Sequence, residues 1–267
     1  SIFNNTKVLI TGHTGFKGSW LAWSLLELGA EVSGYALAPE PGGLYQATGL
    51  TREIGEIEGD ITDYDALLSA LKNSKPEIVF HLAAQALVLP SFEDPLGTFR
   101  ANVTGTLHLL EAVRRVPSIQ SVLVITSDKC YRNDGTAANG KEGFREEDPL
   151  GGKDPYSASK AMAELATESY GVSFLDDIGI ASARAGNVIG GGDIAPFRVI
   201  PDAFRAMSDG ISLKLRSPEA TRPWQHVLDV ITGYLMLASR IYAPYTRLPR
   251  AFNFGPPSSH TVRDLVE

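Results

Sequence analysis

Tyr156 and Lys160 stand four residues apart in Tyr156-Ser157-Ala158-Ser159-Lys160. On a helix that spacing puts both on one face, so the ammonium can lie beside the phenol. A tyrosine with its ordinary pKa near 10 is a poor base at neutral pH. A shift of about three units, worth roughly 4 kcal/mol, would make it useful, and a neighbouring cation favours the phenolate. Upstream, Thr126-Ser127-Asp128-Lys129-Cys130-Tyr131 adds three more groups. The Ser127 hydroxyl can polarise the same substrate oxygen. Asp128 and Lys129 supply an acid and a base beyond those a simple hydride transfer needs. A Tyr-x-x-x-Lys pair alone is a weak signal. Its weight depends on whether the rest of the chain builds a nicotinamide site.

The N-terminus supplies that half. Lys7-Val-Leu-Ile-Thr11 is a short apolar, β-branched run of the kind that forms a buried parallel strand. Gly12-His-Thr-Gly15-Phe16-Lys-Gly18 follows at once, and Trp20, Leu21, Ser24, Leu25 and Leu28 then recur at helical spacing until Gly29. In a strand–turn–helix setting Gly12 allows the tight turn, Gly15 the close approach of a pyrophosphate and Gly18 close helix packing. The next strand, Val32–Leu37, ends without the Asp or Glu that would hold the adenosine ribose, and without an Arg for a 2′-phosphate. Lys17 in the glycine loop is the remaining candidate for that phosphate, and NAD is favoured over NADP. Asp60, after a third strand, is a candidate partner for the adenine amino group, with Ile61 beside it. Thr62 and Asp65 read as a capping box for the helix that follows.

Further strands are expected at 78–82 and 122–126, with crossover helices at 64–73, 94–115 and 156–171. That alternation predicts an α/β fold, a doubly wound parallel sheet of Rossmann type. The stretch 132–154, rich in Gly, Asn, Asp, Glu and Lys, is expected to be an active-site loop or lid. Beyond Ser182–Gly190 glycines and prolines punctuate shorter elements. The expected division is a dinucleotide-binding domain at 1–183, with 251–256 returning to it, and a smaller mixed α/β substrate domain at 184–250 and 257–267. Thr261-Val-Arg-Asp264 reads as a helix start close to Glu267, so the natural protein is expected to continue and part of the second domain to lie outside this sequence.

The 267 residues are 43% hydrophobic with a net charge of −7, an ordinary acidic globular composition. No apolar run reaches transmembrane length and no signal-peptide pattern opens the chain. The single Cys130 argues against disulfides, reads as an inert structural thiol and fits a cytoplasmic location. Basic residues are scattered, so neither nucleic acid nor membrane is an expected partner; no metal is expected. Trp20, Trp23 and Trp224 are expected to pack in cores.

The glycine motif, Gly59-Asp60, His81-Leu-Ala-Ala84, Asn102-Val-x-Gly-Thr106 and Tyr156…Lys160 all fall in one order. Together they resemble the extended short-chain dehydrogenase/reductase family in its nucleotide-sugar branch, over nearly the whole chain. Gly12-His-Thr-Gly-Phe-Lys-Gly-Ser-Trp20, Ser127-Asp-Lys-Cys-Tyr131, Ala183-Arg-Ala-Gly-Asn-Val-Ile-Gly-Gly-Gly-Asp193 and Arg222-Pro-Trp-Gln-His226 are similar to the 4,6-dehydratases that act on CDP-glucose. In the related dTDP-glucose dehydratases the Ser-Asp-Lys position reads Thr-Asp-Glu, which makes Lys129 diagnostic. The segments 132–145 and 173–180 depart from the family pattern.

The resemblance implies a lyase that uses NAD and CDP-glucose. Tyr156 would take the C4 hydroxyl proton as C4 is oxidised, with Lys160 and Ser127 supporting the charge. Lys129 would take the C5 proton and Asp128 would protonate the leaving C6 hydroxyl. Ala83 would lie against the cofactor, as would Phe16 and Ile61. For the substrate, Arg222 is the expected diphosphate clamp, since a guanidinium binds phosphate in bidentate fashion. Asn187 and His226 match family positions near the nucleotide, and Gln85 is a candidate sugar contact. As a base Lys129 must lose its proton, which demands burial or a neighbouring cation such as Lys160. Helix 94–115 and the Tyr156 helix would build a four-helix interface in a homodimer or dimer of dimers. Two alternatives stay open: a 4-epimerase or a dehydratase for another nucleotide hexose, and a non-catalytic NAD-binding regulator.

Overall fold

The computed structural model describes residues 1–133, 143–242 and 248–267. Six strands come first: β1 (Lys7–Thr11), β2 (Glu31–Ala36), β3 (Gly55–Glu58), β4 (Ile78–His81), β5 (Ser121–Ser127) and β6 (Gly179–Ala185). Three short ones follow, β7 (Asn187–Ile189), β8 (Thr221–Arg222) and β9 (Trp224–His226), then β10 (Ala251–Phe254) and β11 (His260–Thr261). The main sheet has seven parallel strands in the order β10-β6-β5-β4-β1-β2-β3. The expected doubly wound sheet is present, and its order reverses between β1 and β4. Such a switch point opens a crevice beyond the strands' carboxyl ends, where ligands bind in this architecture.

Helices α1 (Phe16–Glu27), α2 (Leu44–Ala47), α3 (Tyr64–Ser74), α4 (Val88–Glu93), α5 (Pro95–Phe99), α6 (Gly105–Val113) and α7 (Pro155–Ser173) fill the crossovers. After them come α8 (Val199–Ser208), α9 (Val227–Ile241) and α10 (Val262–Val266). Every residue of β5 is buried, as a central parallel strand covered on both faces requires. One core layer packs Leu21, Leu25, Ile10, Phe80, Val230 and Tyr234 between the sheet and α1 and α9. The other packs Leu9, Leu67, Leu109, Val122 and Ile180 against α3 and α6. No described helix is long and apolar enough to cross a membrane. Cys130 is buried and its thiol pKa is pushed up by burial.

Three expectations change. The helix expected over 94–115 is three pieces: α5, a π-helical turn at Arg100–Thr104, and α6. The turn carries buried Asn102, whose side chain bonds Gln85 N and O and Ser159 Oγ. Tertiary bonds to that side chain outweigh the regular helical ladder. Second, Asp63 rather than Thr62 caps α3, accepting from Ala66 N. Third, Trp23 is 43% exposed with Nε1 on Glu27, not in a core. Of the loop expected at 132–154, residues 134–142 lie outside the described residues.

Candidate active site

At the switch point the glycine loop is built by close approach. Gly12 has φ +76°, and a Cβ there would lie 2.6 Å from Ala83 N. Gly18 stands so close under the same turn that its Cβ would fall 2.1 Å from Gly12 O. Gly15 is exposed, and a Cβ there would meet only Gly12 O, at 3.5 Å. It opens α1, which has no side-chain cap and no acid in its first turn. The N–H groups at the head of a 12-residue helix are thus left for an anion. This cradle fits the pyrophosphate of NAD. Phe16 is half-buried against the core and its ring lies beside Gly190. Ala83 N donates to Thr11 Oγ1. Ile61 is buried beside Gly105. Asp60 is exposed and its Oδ1 accepts from Thr62 N and Oγ1, so one carboxylate oxygen is occupied locally.

The Lys17 ammonium lies 5.9 Å from the Tyr234 ring centroid, among the charged groups Lys160, Arg198, Asp128 and Lys129. Burial, then Lys160 and Arg198, push its pKa down to about 7. His13 holds the β2 side instead. It is fully buried, edge-on to Tyr45, with burial lowering its pKa to about 4. A Cβ on Gly34 of β2 would lie 2.3 Å from its ring, which explains the glycine in mid-strand.

The chemical groups lie at the carboxyl ends of β5 and α7's first turns. Asp154 caps α7 by accepting from Ser157 N and Oγ, and Pro155 occupies its first position. Tyr156 and Lys160 are both buried, as their shared helix face predicts. Lys160 Nζ donates to Ile125 O at 3.3 Å. A 3₁₀ turn, Asp128–Cys130, directs the next two groups: Ser127 Oγ donates to Asp128 Oδ1 at 2.9 Å, and Lys129 Nζ lies 3.8 Å from Asp128. Burial pushes the Tyr156 pKa up to about 12, opposed by the Ser127 hydrogen bond and by Arg198. Arg198 is thus a cation that acts on the phenol from outside the Tyr–Lys helix. Burial lowers Lys160 itself to about 8, with Glu164 opposing. Lys129 is 35% exposed and carries a carboxylate neighbour, so the burial that its role as a base demands is not present here.

A cleft of about 1180 Å³ runs past Asp128, Lys129, Ser157, Arg184, Arg222 and Asn253. A smaller one of about 300 Å³, lined by Val199, Asp202, Lys214, Leu215 and Trp224, adjoins it, and Arg216 and Arg222 line both. Arg222 thus stands where the two meet. Asn187, half-buried on β7, has a buried Oδ1 without a partner. Trp20 is half-buried against the core, and Trp224 lines the small cavity.

Two expected substrate groups make bonds within their own loop or helix. Gln85 donates to Leu87 O and Thr98 Oγ1 and accepts from Leu87 N, so its amide pins its own loop. His226 caps α9, its Nδ1 accepting from Leu228 N. Arg198, tied to Asp193 at 2.9 Å, was not foreseen, nor was the buried pair Glu164–Arg184 at 2.8 Å. Glu164's place one turn after Lys160 was the available signal. Among the described residues no group of three or more His, Cys, Asp or Glu could hold a metal ion.

A family model described as the NAD dependent epimerase/dehydratase family matches residues 8–255. Over all of this chain and 76% of its own length, CDP-glucose 4,6-dehydratase of Salmonella typhimurium is 46% identical. The dTDP-glucose 4,6-dehydratase of Streptomyces griseus is 29% identical over 98% of the chain and 76% of its own. Among solved structures, MoeE5 in complex with UDP-glucose and NAD superposes with a TM-score of 0.81 at 28% identity, covering 97% of this chain and 79% of that one. A glycine cradle at the switch point, a Tyr–Lys helix beside it and a match over most of the sequence lead to one conclusion: the chain belongs to the NAD-dependent epimerase/dehydratase family.

Proposed function

We propose that the chain converts CDP-glucose to CDP-4-dehydro-6-deoxy-glucose with NAD, a redox-neutral hydro-lyase reaction. The observation that carries the reading is the Ser127-Asp128-Lys129 turn, whose Asp128 and Lys129 line the cleft while Ser127 bonds the Tyr156 phenol, in a chain 46% identical to a CDP-glucose 4,6-dehydratase. Bound on the glycine loop, NAD supplies a hydride acceptor for C4 and the same hydride for C6. Tyr156 takes the C4 hydroxyl proton, with Ser127 and Arg198 offsetting the burial that opposes its phenolate. Lys160, fixed on the Ile125 carbonyl, presents its ammonium from the same helix face. The C4 ketone acidifies the C5 proton. Lys129 takes that proton while Asp128 protonates the departing C6 hydroxyl, so one water leaves and the C5–C6 double bond forms; Lys129 then returns a proton to C5 as the hydride reaches C6.

The diphosphate belongs at Arg222 and Arg216, where the two cavities meet. From there the base enters the smaller cavity, with Asn187 nearby in sequence to the cleft-lining Arg184 and Gly186, and the hexose reaches Asp128 and Lys129 in the larger. A cofactor part (1–183 with 251–256) and a substrate part (184–250 and 257–267) belong to this reading, as do a cytoplasmic location and a homodimer or dimer of dimers. Exposed Leu96, Met162 and Leu165, at 66%, 45% and 60%, lie on α5 and α7 and support the pairing surface. Incubation with CDP-, dTDP-, GDP- and UDP-hexoses plus catalytic NAD tests the reading. Loss of one water from CDP-glucose alone is expected. Loss from a different nucleotide keeps the mechanism and overturns the substrate; isomerisation without mass change favours a 4-epimerase.

A further inference from the structure

Glu164 sits on α7 one turn beyond Lys160 and two turns beyond Tyr156, and is 3% exposed. Among the described residues the buried Lys and Arg side chains are Lys160 and Arg184. Its Oε2 accepts from Arg184 at 2.8 Å and from Ser182 Oγ at 2.6 Å, and its Oε1 accepts from Thr126 Oγ1. Thr126 lies between Ile125, whose carbonyl receives the Lys160 ammonium, and Ser127. Arg184 in turn donates to the Tyr131 hydroxyl at 2.7 Å, and that hydroxyl donates to Asn253 Oδ1. One carboxylate therefore ties the helix of the Tyr–Lys pair to the strand end that carries Ser127 and to the next two strands on one side of the sheet, β6 directly and β10 through Arg184 and Tyr131.

We propose that Glu164 is a positioning residue for the reaction: its carboxylate, clamped by Thr126, Ser182 and Arg184, holds Lys160 as an ammonium on the Ile125 carbonyl beside Tyr156. A buried ammonium needs a buried counter-charge, and its removal leaves two cations against none. The other groups facing Lys160 do not supply one. Lys17, from α1, offers no negative charge in either protonation state, its pKa lowered to about 7. His81, at the end of β4, is neutral, its pKa lowered by burial and by Lys160 to about 3. Cys130, in the 3₁₀ turn, is a thiol that burial keeps protonated. The remaining influence that holds the Lys160 proton is Glu164, which opposes burial and leaves the pKa near 8. Neutralising Glu164 shifts the loss of that proton toward lower pH.

The proposal rests on the Tyr156–Lys160 reading, and the test separates the two. The pH dependence of kcat and kcat/KM for nucleotide-sugar dehydration is measured for the full chain, for Glu164→Gln, Glu164→Asp and Lys160→Met. Glu164→Gln is expected to move the alkaline limb of kcat toward acid by about one unit or more, with KM changed less than about twofold. Glu164→Asp, which keeps the charge, restores the limb while lowering thermal stability. An unmoved limb in Glu164→Gln, whatever its stability, overturns the proposal. Where the single variant does not fold, Glu164→Gln with Arg184→Gln removes the ion pair and leaves only Lys160, of the two cations, without its counter-charge. The same acid-ward shift supports the proposal and an unmoved limb rejects it. If Lys160→Met keeps the wild-type limb, the Tyr–Lys reading fails and the proposal with it; if that limb vanishes while Glu164→Gln leaves it in place, only the role of Glu164 fails.

Discussion

Acidification should destabilise this fold through two histidines. His13 is fully buried with neither ring nitrogen partnered, and burial lowers its pKa from 6.5 to about 4. His81 is 3% exposed, held by Thr11 Oγ1 at 2.7 Å and Thr106 Oγ1 at 3.1 Å, and its pKa is lowered to about 3. Both remain neutral in the folded chain down to about pH 4, while in the unfolded chain they take up protons below about pH 6.5. A depressed histidine pKa therefore stabilises fully above 6.5, and that stability is lost as the pH falls toward the folded values. At pH 5 the unfolded state gains about 2 kcal/mol from each ring, or ~4 kcal/mol from the two. That is a large share of the ~5–15 kcal/mol typical of a folded domain. The assay is urea unfolding at pH 7.5, 6 and 5, followed by circular dichroism and intrinsic fluorescence. The account requires a falling midpoint and a slope approaching two protons taken up per molecule unfolded. His81→Gln should remove about half the slope if the variant folds. A midpoint unchanged between pH 7.5 and 5 would refute the burial argument for both rings.

Three further outcomes follow from the same geometry. Gly34→Ala places a methyl 2.3 Å from the His13 ring and should cost about 1–3 kcal/mol in urea unfolding; pairing it with His13→Ala should recover most of that loss. Tyr156→Phe should lower kcat roughly 10²–10⁴-fold with KM little changed, since the proton acceptor is lost and the ring stays. Lys129→Met should still oxidise C4, seen as reduced nicotinamide accumulating on substrate addition, and should release no dehydrated sugar. Full dehydration by that variant would remove Lys129 from the mechanism.

Local signals carried much of the structure. Lys7–Thr11 followed by Gly12, Gly15 and Gly18 was enough to place a strand, a turn and a helix, because close approach at Gly12 and Gly18 is a demand that other residues fail. The four-residue spacing of Tyr156 and Lys160 likewise put both side chains on the buried face of α7. What stayed hidden depends on partners distant in the chain. Asn102 turns a helix into a π-helical turn through bonds to Gln85 and Ser159, residues 17 and 57 positions away. Those bonds and the local ones of Gln85 also take its amide out of the cleft. His226 and Asp63 each cap a helix, a role whose direction is set by the backbone around it. The direction of Lys17 could not be read from its position in the glycine loop, because α1 turns it toward Tyr234 and the cations of the cleft. Buried counter-charges such as Glu164 and Arg184 meet only once β6 lies beside β5.

The central claim is that Tyr156, Lys129 and Asp128 act in turn on one hexose while the hydride is held and returned. CDP-glucose carrying deuterium at C4, incubated with the purified protein and unlabelled NAD, tests it most directly. The account predicts a product lighter by one water with the deuterium recovered at C6. A product that keeps its water, or a dehydrated product with deuterium lost to solvent, would contradict it.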